Sequence, residues 1–340
     1  DVYKRQHKLR AAAKDAKRAV IIGGGFIGLE MTENLVKLGI SVTLVEMADQ
    51  VMPPLDKDMA AFVEQCLLEN EVGLKLGKAV ESFSRKNDTL TVHYSGGGAL
   101  ETDLVLLAIG VQPESSLAGN AGLDLGDRGG IQVNESMQTS DPSIWAVGDV
   151  IEVKDVITEQ TLSLPLAGPA NRQGRIAAGA VLESIGQEKK RNLKFRGVQG
   201  TSVCRVFDQT IAMSGASEKT LQRAGISSYD MVYLHPGNHV GYFPGAQQLS
   251  LKVIWDKNDG RVLGAQAVGH EGVDKRLDVL ATAIRAGMTV EDLAHLELAY
   301  APPFGSAKDP VNLAGMAACN IRDGLVKIRK DIPEGDDVQL

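Results

Sequence analysis

Ala19-Val20-Ile21-Ile22-Gly23-Gly24-Gly25-Phe26-Ile27-Gly28 places an apolar run directly before a cluster of glycines. Its four leading apolar residues, three of them β-branched, read as a buried parallel strand, and the glycines follow without a spacer. Ile27, Met31, Leu35 and Leu38 then recur at helical spacing, Gly39 supplies a stop, and Ser41-Val42-Thr43-Leu44-Val45-Glu46 alternates into a second strand. The result is a βαβ unit. Gly23, Gly25 and Gly28 satisfy G-x-G-x-x-G where that pattern is informative, at the end of a strand and the mouth of a helix. The first glycine makes the tight turn, the second lets backbone amides approach a pyrophosphate, and the third allows close packing of helix on strand. The helix N-terminus adds partial positive charge for the phosphates. Glu46 ends the second strand, where a carboxylate accepts hydrogen bonds from a ribose 2′-hydroxyl and repels a 2′-phosphate. That favours NADH and leaves NADPH open.

The 340 residues suffice for two or three domains, each with its own core. An apolar fraction of 44% and a charged fraction of 23% are those of a globular protein, and no apolar run approaches the roughly 18 residues of a membrane span. The net charge of -7 opposes general attraction to nucleic acid or anionic lipid, so neither is expected as a partner. Cys66, Cys204 and Cys319 show no CxxC or CxxH spacing, which suggests neither a disulfide framework nor a metal site and fits a reducing cytoplasm.

Along the chain, residues 1–15 read as an uncommitted lead-in, the first six as foreign to the protein, and both ends as cut. Residues 16–112 form the nicotinamide-binding domain, with a helix from Met59 to Leu68 and β segments at Thr89 to Tyr94 and Leu104 to Ile109. Residues 113–195 are too few for a second whole nucleotide domain. Strands are expected there at Ile131 to Val133 and Ile144 to Asp149, and a helix at roughly Ala170 to Ile185. Residues 196–320 change to an α+β pattern, with strands at Val203 to Phe207, Met231 to Leu234 and Leu249 to Trp255 and a helix at Gly272 to Ala286. Residues 321–340 read as a charged linker carrying Pro333 and Gly335.

One fingerprint fits any dehydrogenase, so the decision rests on Thr139-Ser140-Asp141-Pro142-Ser143-Ile144-Trp145-Ala146-Val147-Gly148-Asp149. This segment resembles the second flavin motif of the pyridine nucleotide-disulfide oxidoreductases, flavoproteins with two dinucleotide-binding domains. The resemblance implies an α/β fold, with a Rossmann-like NAD domain, a partial FAD domain and a C-terminal α+β dimerisation domain. It implies FAD as cofactor, with Gly148 and Asp149 at the ribityl chain. Leu164 to Arg175 is similar to the family helix whose amide end, here Leu166 and Ala167, faces the flavin pyrimidine; simple capping by a Pro-containing loop remains the alternative. The resemblance implies Phe26, Ile27, Glu30 and Gly110 at the nicotinamide site, with Phe26 near the ring entry and Glu30 toward the flavin; helix packing for Phe26 and a surface carboxylate for Glu30 are the alternatives.

Within the family, Tyr300-Ala301-Pro302-Pro303-Phe304-Gly305-Ser306-Ala307-Lys308-Asp309-Pro310-Val311-Asn312 resembles the C-terminal motif of coenzyme A disulfide reductases. Gly241 to Gly245 and Asp274 to Asp278 are similar to them too. That branch implies a homodimer reducing coenzyme A disulfide or a persulfide, with Tyr242 and Tyr300 as catalytic groups and Asn171 and Lys308 contacting coenzyme A. Other members of the family commonly carry His at the position of Asn171. Taken alone, either tyrosine also reads as a core or interface aromatic. The family's redox cysteine and first flavin fingerprint fall outside this sequence, so the fragment alone is expected to be inactive. The tail resembles the linker to a rhodanese domain. Two rivals stand beside this reading: an NADH oxidase or peroxidase of the same fold, and a non-catalytic NADH-binding module.

Overall fold

The computed structural model describes residues 2–87, 89–187 and 193–327. It resolves into two units, Asp1–Gln209 and Thr210–Leu340. The first begins with helix α1 (Val2–Lys14), within the stretch read as a lead-in. Ala11, Ala12 and Ala13 beside Lys, Arg and Gln make a good helix without any apolar periodicity to announce it. Strand β1 (Arg18–Ile22) then runs parallel to β2 (Ser41–Val45), with Val20 opposite Thr43 and Ile22 opposite Val45. Helix α2 (Phe26–Lys37) joins the two, and α3 (Lys57–Glu69) leads to β3 (Gly73–Lys75).

An antiparallel sheet of β4 (Val80–Lys86), β5 (Thr89–Tyr94) and β6 (Gly98–Thr102) precedes β7 (Leu104–Leu107). Only β5 of these three is legible in sequence, because β4 is exposed along almost its whole length and lacks apolar alternation. The parallel sheet has the order β3-β2-β1-β7, so the chain departs from β1 to one side through β2 and later returns to the other side as β7. That reversal leaves a crevice at the carboxyl end of β1, where the glycine turn lies. Strand β7 stops at Leu107, short of the expected Ile109, because Gly110 takes φ 100° and turns the chain away.

After helix α4 (Ser116–Asn120), the strands expected at Ile131 and Ile144 reduce to isolated bridges, Ile131 to Leu125 and to Ile151, and Gln138 to Trp145. A side-chain-braced turn explains the difference: Asn134 Oδ1 accepts from the Ser136 and Gln138 amides, and Met137 sits at φ 65°. No run long enough for a ladder remains. Met137, Ala146, Ile151, Val153, Ala177 and Val198 form the local core. Strands β8 (Val153–Lys154) and β9 (Thr161–Leu162) precede α5 (Ala167–Ser184), which starts three residues before the expected Ala170 because Pro169 is tolerated in a first turn. Strand β10 (Ser202–Val206) follows.

The second unit is built on an antiparallel sheet. Strands β11 (Gln209–Gly215), β12 (Tyr229–Leu234), β13 (Leu249–Asp256) and β14 (Val262–Gly269) take the order β11-β14-β13-β12, with α6 (Glu218–Arg223) between the first two. Strand β14 is hidden in sequence by its small residues. Gly264 is required, since a Cβ there would meet the Ala216 carbonyl at 1.9 Å. Helices α7 (Val273–Ala286), α8 (Val290–His295) and α9 (Pro310–Arg322) complete the unit. The expected end near Asn320 thus falls inside α9. Of the linker read at 321–340, residues 328–340 lie outside the described residues, as does Asp1 of the six read as foreign.

Candidate active-site elements

The glycine turn is built from close contacts that only glycine permits. Gly23 adopts φ 107°, and a Cβ on it would meet the Ala108 carbonyl oxygen at 2.3 Å. A Cβ on Gly28 would meet the Gly23 carbonyl oxygen at 1.9 Å, so the helix lies directly on the turn. Around Gly25 the situation is reversed: among the described residues nothing lies within 4 Å of a Cβ built there. That open space faces the first turn of α2, whose N-cap Gly25 has no side-chain cap. Unsatisfied amides, partial positive charge and room for a ligand meet at one point, which fits a pyrophosphate.

Glu46 is held against the same turn. Its carboxylate accepts from the Gly24 amide at 2.6 Å and from the Ala48 amide at 2.8 Å. Two backbone donors fix the carboxylate at the end of β2 while lone pairs remain for a ligand hydroxyl. Gly110 closes the far lip at φ 100°, with open space around it among the described residues. On α2, Phe26 is half-buried while Ile27 and Glu30 are exposed.

Asp149 is exposed in a one-turn 3-10 helix spanning Gly148–Val150. Gly148, at φ 82°, donates its amide to Gln173 Oε1 at 2.8 Å, and Gln173 is buried on α5. The turn that presents Asp149 is therefore fixed by α5. Gln173 carries no signal of this role in the sequence, because a buried amide is recognised by its partner, not its neighbours along the chain. Leu166 is the N-cap of α5 and Ala167 its first residue; the Leu166 amide is taken by the Leu164 carbonyl at 2.9 Å, and no side chain caps this end among the described residues, so what an acceptor can reach is the first turn from Ala167 onward. Asn171 is exposed one turn further along.

The second unit brings together two residues that sequence separates by 58 positions. The hydroxyls of Tyr242 and Tyr300 lie 3.4 Å apart, with the residues 76% and 47% exposed. The hydrogen bond to Tyr242 holds the Tyr300 phenol protonated above its ordinary range. Such a pair can donate to a developing thiolate. Lys308 is exposed in the loop between Tyr300 and α9.

None of the three thiols has the environment of a nucleophile. Burial pushes Cys66 up to about 11 and Cys204 up to about 12, and it raises Cys319 as well. Cys319 lies within α9, half-buried near its C-terminal end.

The family model described as pyridine nucleotide-disulphide oxidoreductase matches residues 1–174, and the dimerisation-domain model of the same family matches residues 201–310. A coenzyme A disulfide reductase from Staphylococcus haemolyticus is 34% identical over 303 residues, covering 89% of this chain and 66% of the relative. Among solved structures, reduced Bacillus anthracis CoADR-RHD is 50% identical with a TM-score of 0.88, over 95% of this chain and 56% of that one. An NAD-dependent persulfide reductase from A. fulgidus is 40% identical with a TM-score of 0.90, over 96% of this chain and 59% of that one. The chain thus spans just under two thirds of the length of the curated relative. Among the described residues no helix is long and apolar enough to cross a membrane.

Proposed function

This chain belongs to the pyridine nucleotide-disulphide oxidoreductase family, and from that premise we propose that it is the nicotinamide-binding, partial flavin-binding and dimerisation part of a cytoplasmic, homodimeric, FAD-dependent NAD(P)H:disulfide reductase. Its domains run over 16–112, 113–195 and 196–320. The substrate is coenzyme A disulfide or a coenzyme A persulfide. The observation that carries the substrate class is the Tyr242 and Tyr300 hydroxyl pair at 3.4 Å, in a chain similar to curated coenzyme A disulfide reductases.

In this reading Gly23, Gly25 and Gly28 form the cradle for the nicotinamide dinucleotide pyrophosphate, and Glu46 takes the ribose hydroxyls, which selects NADH. Phe26, Ile27, Glu30 and Gly110 line the nicotinamide end. Gly148 and Asp149 hold the flavin ribityl chain, while the N-terminus of α5, capped at Leu166 and opening at Ala167, supports negative charge on the flavin edge. Bound NADH and FAD supply hydride and electron transfer toward the disulfide. Tyr242 and Tyr300 keep a proton ready for the departing thiolate, and Asn171 and Lys308 bind coenzyme A, the lysine through a phosphate. The attacking thiolate comes from outside these residues, since raised pKa values hold Cys66 and Cys204 as thiols at neutral pH.

Full-length enzyme assayed with NADH against coenzyme A disulfide, coenzyme A persulfide, oxygen and peroxide tests the proposal. Turnover is expected with the disulfide or persulfide. Exclusive turnover of oxygen or peroxide overturns the substrate class, and NADH binding by a colourless protein overturns the flavoenzyme reading.

A further inference from the structure

The two tyrosines are exposed, so their separation is set by the loops that carry them. Tyr242 sits in the loop between β12 and β13, and Tyr300 in the loop between α8 and α9. Both loops converge on one buried cation. Arg276, on α7, donates through Nη2 to the Asn238 carbonyl at 2.7 Å and to Asp309 Oδ2 at 3.0 Å, and through Nε to Asp309 Oδ2 at 3.2 Å. Nη1 donates to the Gly272 carbonyl at 3.1 Å.

Asn238 closes the Tyr242 loop. Its amide donates to the Gln247 carbonyl at 2.8 Å, and its Oδ1 accepts from the Gln247 amide at 2.9 Å. Asp309 ends the Tyr300 loop as the N-cap of α9, accepting from the Val311 amide at 3.1 Å. Between these anchors the loops touch once more, where the Val240 amide donates to the Gly305 carbonyl at 3.1 Å. Lys275 adds a bond to the Phe304 carbonyl at 3.3 Å.

We propose that Arg276 is a positioning residue: its guanidinium, shared between Asn238 and Asp309, sets the separation of the Tyr242 and Tyr300 hydroxyls. The proposal rests on the tyrosine role given above. The planar fork is what the task requires, since it presents fixed donor directions to a carbonyl and a carboxylate at once. An ammonium at the same place keeps the charge and loses the geometry.

The test is Arg276→Lys in the full-length enzyme, with Asp309→Asn as a second variant that keeps an acceptor for the α9 cap. Phenol ionisation is followed by NMR of 13C-labelled tyrosine, flavin reduction by NADH and disulfide turnover by rapid kinetics. Either folded variant is expected to return Tyr300 toward ordinary tyrosine titration and to lower disulfide turnover at least tenfold, with flavin reduction by NADH unchanged. Adding Tyr300→Phe to Arg276→Lys should cost little more, because the two act through one contact. An unmoved Tyr300 titration in a folded variant overturns the positioning role whatever the substrate proves to be. Unfolding of both variants also overturns it, reducing Arg276 to a structural residue. A shifted titration with no change in disulfide turnover keeps the positioning role and sinks the proposed function of the tyrosines.

Discussion

The glycine turn of the first unit and the tyrosine loops of the second hold their functional groups by opposite means. In the turn the backbone itself is the functional part: Gly23 and Gly28 sit where a Cβ would strike a carbonyl oxygen, and the open space is left at Gly25. In the loops the candidate groups are exposed side chains, and the loop ends meet in a buried ion pair between Arg276 and Asp309. The first device tolerates almost no added atom at two of its glycines. The second tolerates changes at the tyrosines and fails at the residue beneath them.

The comparison can be broken by substitution. Removing the buried cation should have the largest effect: Arg276→Met leaves Asp309 buried without its fork, at a cost of about 3–5 kcal/mol read by denaturant unfolding. Gly28→Ala forces backbone apart at the helix mouth and should cost about 1–3 kcal/mol, with loss of NADH binding measured by calorimetry. Gly25→Ala separates binding from stability, because its Cβ enters open space at an ordinary φ of -81°. Its melting temperature should fall by a few degrees at most, since Ala replaces Gly at an N-cap, while NADH affinity falls tenfold or more.

Tyr242→Phe should leave stability unchanged, lower disulfide turnover through the lost hydroxyl and change its pH dependence. Tyr300 is held protonated above its ordinary range, so the contribution of its neutral form is present below the ordinary pKa and lost as pH rises through the raised one. Without the Tyr242 hydroxyl, the alkaline limb of disulfide turnover should move to lower pH. The smallest effect is expected at the thiols: at pH 8 native Cys66 and Cys204 should resist alkylation over hours, followed by mass spectrometry.

The same contrast explains what the sequence discloses. Gly23, Gly28 and Glu46 are legible because a turn pressed against backbone leaves little choice of residue, and the choice is written in consecutive letters. Tyr242 and Tyr300 are legible through resemblance of the segments around them, which says nothing of the 3.4 Å between their hydroxyls. Gln173 and Arg276 are not legible, since each is defined by a partner 25 or 33 positions away. Strand β14 is masked by the small residues its packing demands, and the bridges at Ile131 and Trp145 are too short to honour their apolar pattern. Helix α1 carries propensity without periodicity.

Rapid kinetics on the full-length enzyme can follow flavin reduction by NADH and flavin reoxidation by coenzyme A disulfide separately, and so assign each region to its half-reaction. Gly25→Ala should slow the reductive half and spare the oxidative half, while Arg276→Lys should do the reverse. If both variants slow the same half, the two regions do not serve separate steps of one reaction.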